Sequence, residues 1–278
     1  MTAHAPSGSP AHRTPRTTAV RLRPRSTLAV ALVSVAGLLA FCWPLFVSPG
    51  SSIAHGGDAP LVFAALLPLL LAVVLAEISE GGLDVKAVAM LGVLSAVGAA
   101  LRPLGAGSAG IETVFFLLVL GGRVFGAGFG FVLGATTLFA SALVTGGVGP
   151  WLPFQMIASA WVGLGAGLLP RATGRAEMAL LAAYGAVAGL LYGLLMNFSF
   201  WPFAVGTGTG LSFEAGAPVL QNLHRFLLFS LATSLGWDLG RALTNVALIL
   251  LAGRAVLGAL RRAERRAGFA APVAFEEA

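Results

Sequence analysis

Long apolar runs, repeated along the chain, govern what this sequence can fold into. They lie at about 27–47, 60–78, 86–103, 111–122, 124–144, 154–170, 178–203 and 223–259. The hydrocarbon core of a bilayer is crossed by about 20 apolar residues in a helix, and most of these runs reach that length. Charged residues make up only 10% of the 278, and hydrophobic residues 57%. A soluble domain carries about 25% charge, so a globule of this size could not cover its surface in water. Cys42 is the single cysteine, which excludes an internal disulfide and a cysteine-based metal site. In lipid every backbone N–H and C=O must be satisfied within the protein, and helices do this segment by segment. The expected fold class is therefore all-α, a polytopic integral membrane helix bundle. Eight helices are expected. The 111–122 run, cut short by Gly121-Gly122-Arg123, is read as a tilted or partly buried helix.

The basic residues set the expected orientation. Residues 1–26 are rich in Pro, Ser, Thr and Arg and read as a disordered basic tail. The run that follows is too long for the apolar region of a signal peptide, and no clean cleavage site ends it. With the N-terminus in the cytoplasm, Arg13, Arg16, Arg21, Arg23, Arg25, Lys86, Arg123, Arg171, Arg175, Arg254, Arg261, Arg262, Arg265 and Arg266 all fall inside. Arg102 and Arg225 fall outside, and Arg241 lies within the last run. Positive residues favour the cytoplasmic side, so an even number of helices with both termini inside is expected. The net charge of +6 then reports topology and contact with anionic lipid, and nucleic acid is not an expected partner. Lys86 is the only lysine among 17 basic residues, which reads as the coding of a GC-rich bacterial genome and places the chain in a bacterial cell membrane. The expected organisation is a cytoplasmic tail at 1–26, a two-helix membrane extension at 27–80, a six-helix core at 84–260 and a second cytoplasmic tail at 261–278.

Small residues spaced by four let helices approach closely in lipid. Such stripes occur at Gly92, Ala96 and Ala100, at Gly126, Gly130 and Gly134, at Gly185, Gly189 and Gly193, and at Gly236 and Gly240. Each fits either packing inside the bundle or docking of another membrane subunit, and spacing does not separate the two.

Candidate ligand-contacting residues gather at the expected outer face. The loop from Gly146 to Gln155 holds two prolines, Trp151 and the amide of Gln155. The end of the seventh run brings Asn197, Phe200 and Trp201 within about one helical turn. Arg102 and Glu112 are also outward and could pair across one loop. His224 and Arg225 sit where the last run begins, and Ser234, Asp238, Arg241 and Asn245 form one stripe along it. Polar groups converging among apolar walls suit a ligand pocket. An aromatic belt at the membrane interface accounts equally well for Trp151 and Trp201. For Asp238 and Arg241 the alternative is an ion pair locking the bundle, since charges at membrane depth need partners. Residues at metal-ligand spacing are missing around His224, so no metal or other cofactor is expected. The sequence holds no phosphate-binding loop, no Gly-x-Ser-x-Gly and no His-Glu-x-x-His, so the chain is expected to be neither an ATPase nor another enzyme.

The stretch from about Lys86 to Leu260 resembles the substrate-binding S components of energy-coupling factor (ECF) vitamin transporters. The resemblance is carried by Ala99-Ala100-Leu101-Arg102-Pro103, by Gly122-Arg123-Val124-Phe125-Gly126-Ala127-Gly128-Phe129-Gly130, by Gly149-Pro150-Trp151-Leu152-Pro153-Phe154-Gln155-Met156 and by Gly163-Leu164-Gly165-Ala166-Gly167. It implies a six-helix S-component-like core, here preceded by two extra transmembrane helices. It further implies a transmembrane T subunit and two ABC-type ATPases as partners, and a vitamin-like ligand captured from outside. The docking surface for the T subunit then falls on Gly92, Ala96 and Ala100. The long form is similar to members assigned to cobalamin or its precursors. A ligand-free membrane scaffold or a solitary permease is the alternative, and an intramembrane enzyme is disfavoured because Asp238 is the only carboxylate in the middle of a run.

Overall fold

The computed structural model describes residues 24–46, 48, 85–105, 109–204 and 208–267. Eight α-helices lie among them: α1 (Pro24–Cys42), α2 (Val85–Leu101), α3 (Phe115–Phe125), α4 (Ala127–Thr145), α5 (Leu152–Leu168), α6 (Gly174–Ala204), α7 (Val219–Thr233) and α8 (Leu235–Ala267). Short 3-10 turns at Trp43–Leu45 and Arg102–Leu104 follow α1 and α2. Five helical stretches are long and apolar enough to cross a membrane: Thr27–Leu45, Val85–Leu104, Ala127–Thr145, Gly174–Ala204 and Leu235–Ala267. Their outward faces carry large exposed apolar side chains, among them Leu32, Leu39, Val93, Leu191, Leu243 and Leu251. A soluble protein does not expose such a continuous belt. The chain is an all-α, multi-pass membrane helix bundle.

The central layer is made by α4 and α5. Their crossing is so close that a Cβ on Gly130 would run into the Gly163 carbonyl, and one on Gly134 into that of Ser159. Helix α3 is short and almost wholly buried, enclosed by α4, α5 and α8. The chain reverses between α3 and α4 at Gly126, whose φ of 97° suits a residue without a Cβ. The break therefore falls after Arg123, not at Gly121-Gly122 as the sequence suggests: both of those glycines stay helical and buried.

The last apolar run corrects a second expectation. Residues 223–259 are not one helix, because α7 ends at Thr233 and α8 begins at Leu235. The Thr233 hydroxyl donates to the Phe229 carbonyl at 2.8 Å, and the Ser234 hydroxyl to Asn197 Oδ1 at 3.0 Å. Hydroxyls that bond back onto the helix bend it, and here a neighbouring helix holds the bend.

Helix α1 packs into the bundle rather than standing apart. Trp161 Nε1 donates to Ser34 Oγ at 2.9 Å, Phe41 meets the Phe154 ring edge-on at 4.9 Å, and Trp43 stacks on Phe203. The expected helix at 60–78, residues 1–23 of the expected tail at 1–26 and residues 268–278 of that at 261–278 lie outside the described residues; Pro24 begins α1, and α8 runs on through 261–267.

The two ends of the bundle differ. One gathers Lys86, Arg123, Arg171, Arg175, Arg254, Arg261, Arg262, Arg265 and Arg266. There Glu177 accepts from Arg123 Nε at 2.9 Å and Arg261 Nη2 at 2.6 Å, tying α3, α6 and α8. Arg123 Nη1 also donates to the carbonyls of Leu169 and Pro170, closing the C-terminal end of α5. The opposite end holds Arg102, Arg225 and the sequence-predicted site.

Candidate ligand-binding site

Two stripes that the sequence presents separately fit together at this end. Gly185, Gly189 and Gly193 on α6 face Asn245, Arg241 and Asp238 on α8. Asn245 Nδ2 donates to the Gly185 carbonyl at 3.0 Å and Arg241 Nη1 to that of Gly189 at 3.3 Å. A Cβ on Gly193 would occupy the position of the Asp238 carboxylate. The glycine stripe is thus the trough in which the polar stripe lies.

Arg241 is the centre of a buried network. Its Nη1 donates to Asp238 Oδ1 at 2.7 Å and its Nη2 to Glu112 Oε1 at 3.0 Å. The Tyr192 ring lies 5.3 Å from the guanidinium, close enough for a cation–π contact. Glu112 reaches Arg241 because the turn before it presses on α8. A Cβ on Gly110, whose φ is +77°, would collide with the Trp237 carbonyl, and one on Gly240 with that of Ala109.

Arg102 has other partners. Its Nη2 donates to Gln155 Oε1 at 3.1 Å and its Nη1 to Ser141 Oγ at 3.4 Å. An Arg102–Glu112 pair does not form, because Glu112 is claimed by Arg241 from a helix 129 residues away in sequence.

Three neighbouring cavities open around these groups. A polar one of about 310 Å³ is lined by Arg102, Pro103, Gly105, Ile111, Glu112, Thr145, Gly147, Trp151 and Trp237. A second, of about 200 Å³, lies across Trp237 and is lined by Gly193, Met196, Asn197, Thr233, Ser234, Asp238 and Arg241 as well. An apolar cleft of about 510 Å³ lies across Trp151, between Phe154, Met196, Asn197, Phe200 and Phe203. The indole of Trp151 is 51% exposed, and its Nε1 donates to the Gly147 carbonyl at 3.1 Å.

The fold thus brings Arg102, Glu112, Trp151, Asn197 and Asp238 onto cavity walls, with Gln155 behind Arg102. Trp201 and His224 are not among the lining residues. Trp201 is fully buried, packed by Phe198, Phe213 and Phe226, and its Nε1 donates to the Leu211 carbonyl at 2.7 Å. A sandwich of a ligand between Trp151 and Trp201 is therefore not available. His224 points outward from α7 and is exposed. Asn197 is bonded to both sides of the α7–α8 bend, donating to Ser230 Oγ at 3.4 Å and accepting from Ser234. Sequence reasoning places Arg241 on the polar stripe and Trp237 next to it, but counts neither among the ligand-contacting residues; the one signal for Trp237 is its place beside Asp238 at the start of α8. Among the described residues no cluster of His, Cys, Asp and Glu could hold a metal ion.

The fold and the site together define a multi-pass membrane helix bundle with a charged, tryptophan-walled cavity at one end. No protein-family model, curated protein or solved structure matches this chain.

Proposed function

We propose that the chain is the substrate-capturing membrane subunit of an ECF-type importer. In this reading it takes a vitamin-like micronutrient at the outer face of a bacterial cell membrane. It passes the ligand inward with a transmembrane T subunit and two ABC-type ATPases, both termini lying in the cytoplasm. The observation that carries the reading is the convergence of Arg102, Glu112, Trp151 and Trp237 on one cavity at the end poor in basic residues. Loss of positive charge at that end fits an outward face, and a mostly apolar wall with a few convergent polar groups fits a ligand site. Whole cobalamin would require the three cavities to merge, with Trp151 and Trp237 displaced, so a smaller vitamin or precursor fits the geometry better.

The docking surface is supported by contrast among the small-residue stripes. Those on α4 and α6 are filled by neighbouring helices and that on α8 is closed at Gly240 by the Ala109 carbonyl and open at Gly236, whereas Gly92, Ala96 and Ala100 on α2 are all exposed and, among the described residues, nothing lies within 4 Å of a Cβ added at Gly92. A helix face free of bulky side chains admits another helix closely. Replacing Ala96 by Trp should reduce co-purification of a T subunit expressed together with this chain. Ligand-induced thermal stabilisation of the isolated chain should survive. Unchanged yield of the complex removes α2 from the interface, and absence of stabilisation by any vitamin tested, in parent and variant alike, favours a ligand-free scaffold.

A further inference from the structure

The charges on the polar cavity are arranged for a ligand that carries both signs. Among the described residues Arg102 is held by the neutral oxygens of Ser141 and Gln155 alone and has no carboxylate within ion-pair distance. Its planar fork suits bidentate binding of a carboxylate. Glu112 lines the same cavity and turns one oxygen, Oε1, to Arg241, while Asp238 holds the other side of that guanidinium. Arg102 and Glu112 therefore line one space of about 310 Å³ without pairing with each other, one carrying a guanidinium and the other a carboxylate. Trp151 and Trp237 supply the flat faces between them. Indole faces attract both unsaturated rings and cations.

We infer that this cavity takes a small zwitterion, with its acid group on Arg102, its protonated nitrogen toward Glu112 and its body between Trp151 and Trp237. The inference rests on the substrate-capturing reading and narrows it to a chemical class. The volume is at the low end of ligand pockets, so the ligand is compact.

The test uses the full chain, purified in mild detergent from cells grown in rich medium. Small molecules released on denaturation are identified by mass spectrometry in positive and negative ion modes. The same molecule is then titrated onto stripped protein and onto Arg102→Gln, Arg102→Lys and Glu112→Gln. The expected result is a retained compound with one acidic and one basic group. Affinity should fall about 10- to 150-fold in Arg102→Gln, as for loss of hydrogen bonds to a charged group. It should fall less in Arg102→Lys and measurably in Glu112→Gln. Identification of the compound retained by the parent chain requires no variant, so misfolding of Arg102→Gln does not weaken the test. A retained compound without an acid group, or without a basic one, overturns the zwitterion, as does full affinity in a folded Arg102→Gln. A parent chain that retains no small molecule overturns the capture reading itself.

Discussion

Replacing Arg241 by Met should destabilise the bundle more than any other single change at this end. The Arg241 side chain is 7% exposed, Asp238 12% and Glu112 25%. Met preserves much of the packing volume but leaves two carboxylates facing each other across the vacated guanidinium, and it removes the donor to the Gly189 carbonyl. Removing one partner of a buried pair costs about 3–5 kcal/mol, because the remaining charge has no compensation. Glu112 is partly solvated, so water screens its share, and most of the loss belongs to Asp238. The assay is equilibrium unfolding in mixed micelles with increasing denaturing detergent, followed by tryptophan fluorescence. A second arm adds Asp238→Asn. In the Arg241→Met background that change should recover about 1–3 kcal/mol, since it removes the stranded charge, whereas on its own it should destabilise. A sign reversal of this kind is a coupling that only contacting residues show. A loss below about 1 kcal/mol for Arg241→Met, or additive behaviour of the two changes, would refute the picture of a dry, mutually dependent network.

Two further outcomes follow from the packing. Gly130→Leu should cost about 3 kcal/mol, the upper end of the overpacking range, because the Gly163 carbonyl blocks the new side chain; the measure is loss of folded chain in size-exclusion chromatography, against little change for Ala96→Leu on the exposed face of α2. Trp201→Phe should destabilise by about 1–3 kcal/mol, since the Leu211 carbonyl loses its donor, while ligand affinity stays within twofold because Trp201 lines none of the three cavities.

The fold class was legible because twenty-residue apolar runs admit few alternatives, and the described helices fall on the expected runs. What the sequence could not supply were distinctions that depend on a neighbour remote in the chain. Gly92-Ala96-Ala100 and Gly185-Gly189-Gly193 have the same spacing, yet one is open and the other cradles Asn245, Arg241 and Asp238. Arg102 and Glu112 are close in sequence and opposite in charge, which left their pairing open. Arg241 wins Glu112 only because Gly110 and Gly240 let the α2–α3 turn settle against α8. The run at 223–259 carries Ser230, Thr233 and Ser234 in its sequence, but nothing in it shows that Asn197 from another helix meets two of these hydroxyls and holds a bend there. Trp151 and Trp201 have similar sequence surroundings, rich in Pro and Phe, but only Trp201 is roofed by the segment that contains Leu211 and Phe213.

Charge at the two ends of the bundle is arranged differently, and the difference supports the proposed division between a structural and a binding role. At the basic end, Glu177 is matched by two arginines, and Arg123 continues into the carbonyls of Leu169, Pro170 and Ala172. Glu177, Arg123 and Arg261 each have a partner of opposite charge there, so this cluster fastens helices. At the other end Arg241 is matched twice over, while Arg102 is matched only by a hydroxyl and an amide. A bundle selected for stability alone would gain by giving Arg102 the carboxylate of Glu112 or by replacing it with an apolar side chain. Instead Ser141 and Gln155 orient the guanidinium without neutralising it, on the wall of a cavity that two tryptophans border. An oriented charge left without its counter-ion is preorganised for a ligand that brings one, and for that reason Arg102, more than the better-paired Arg241, is the residue whose substitution should separate binding from folding.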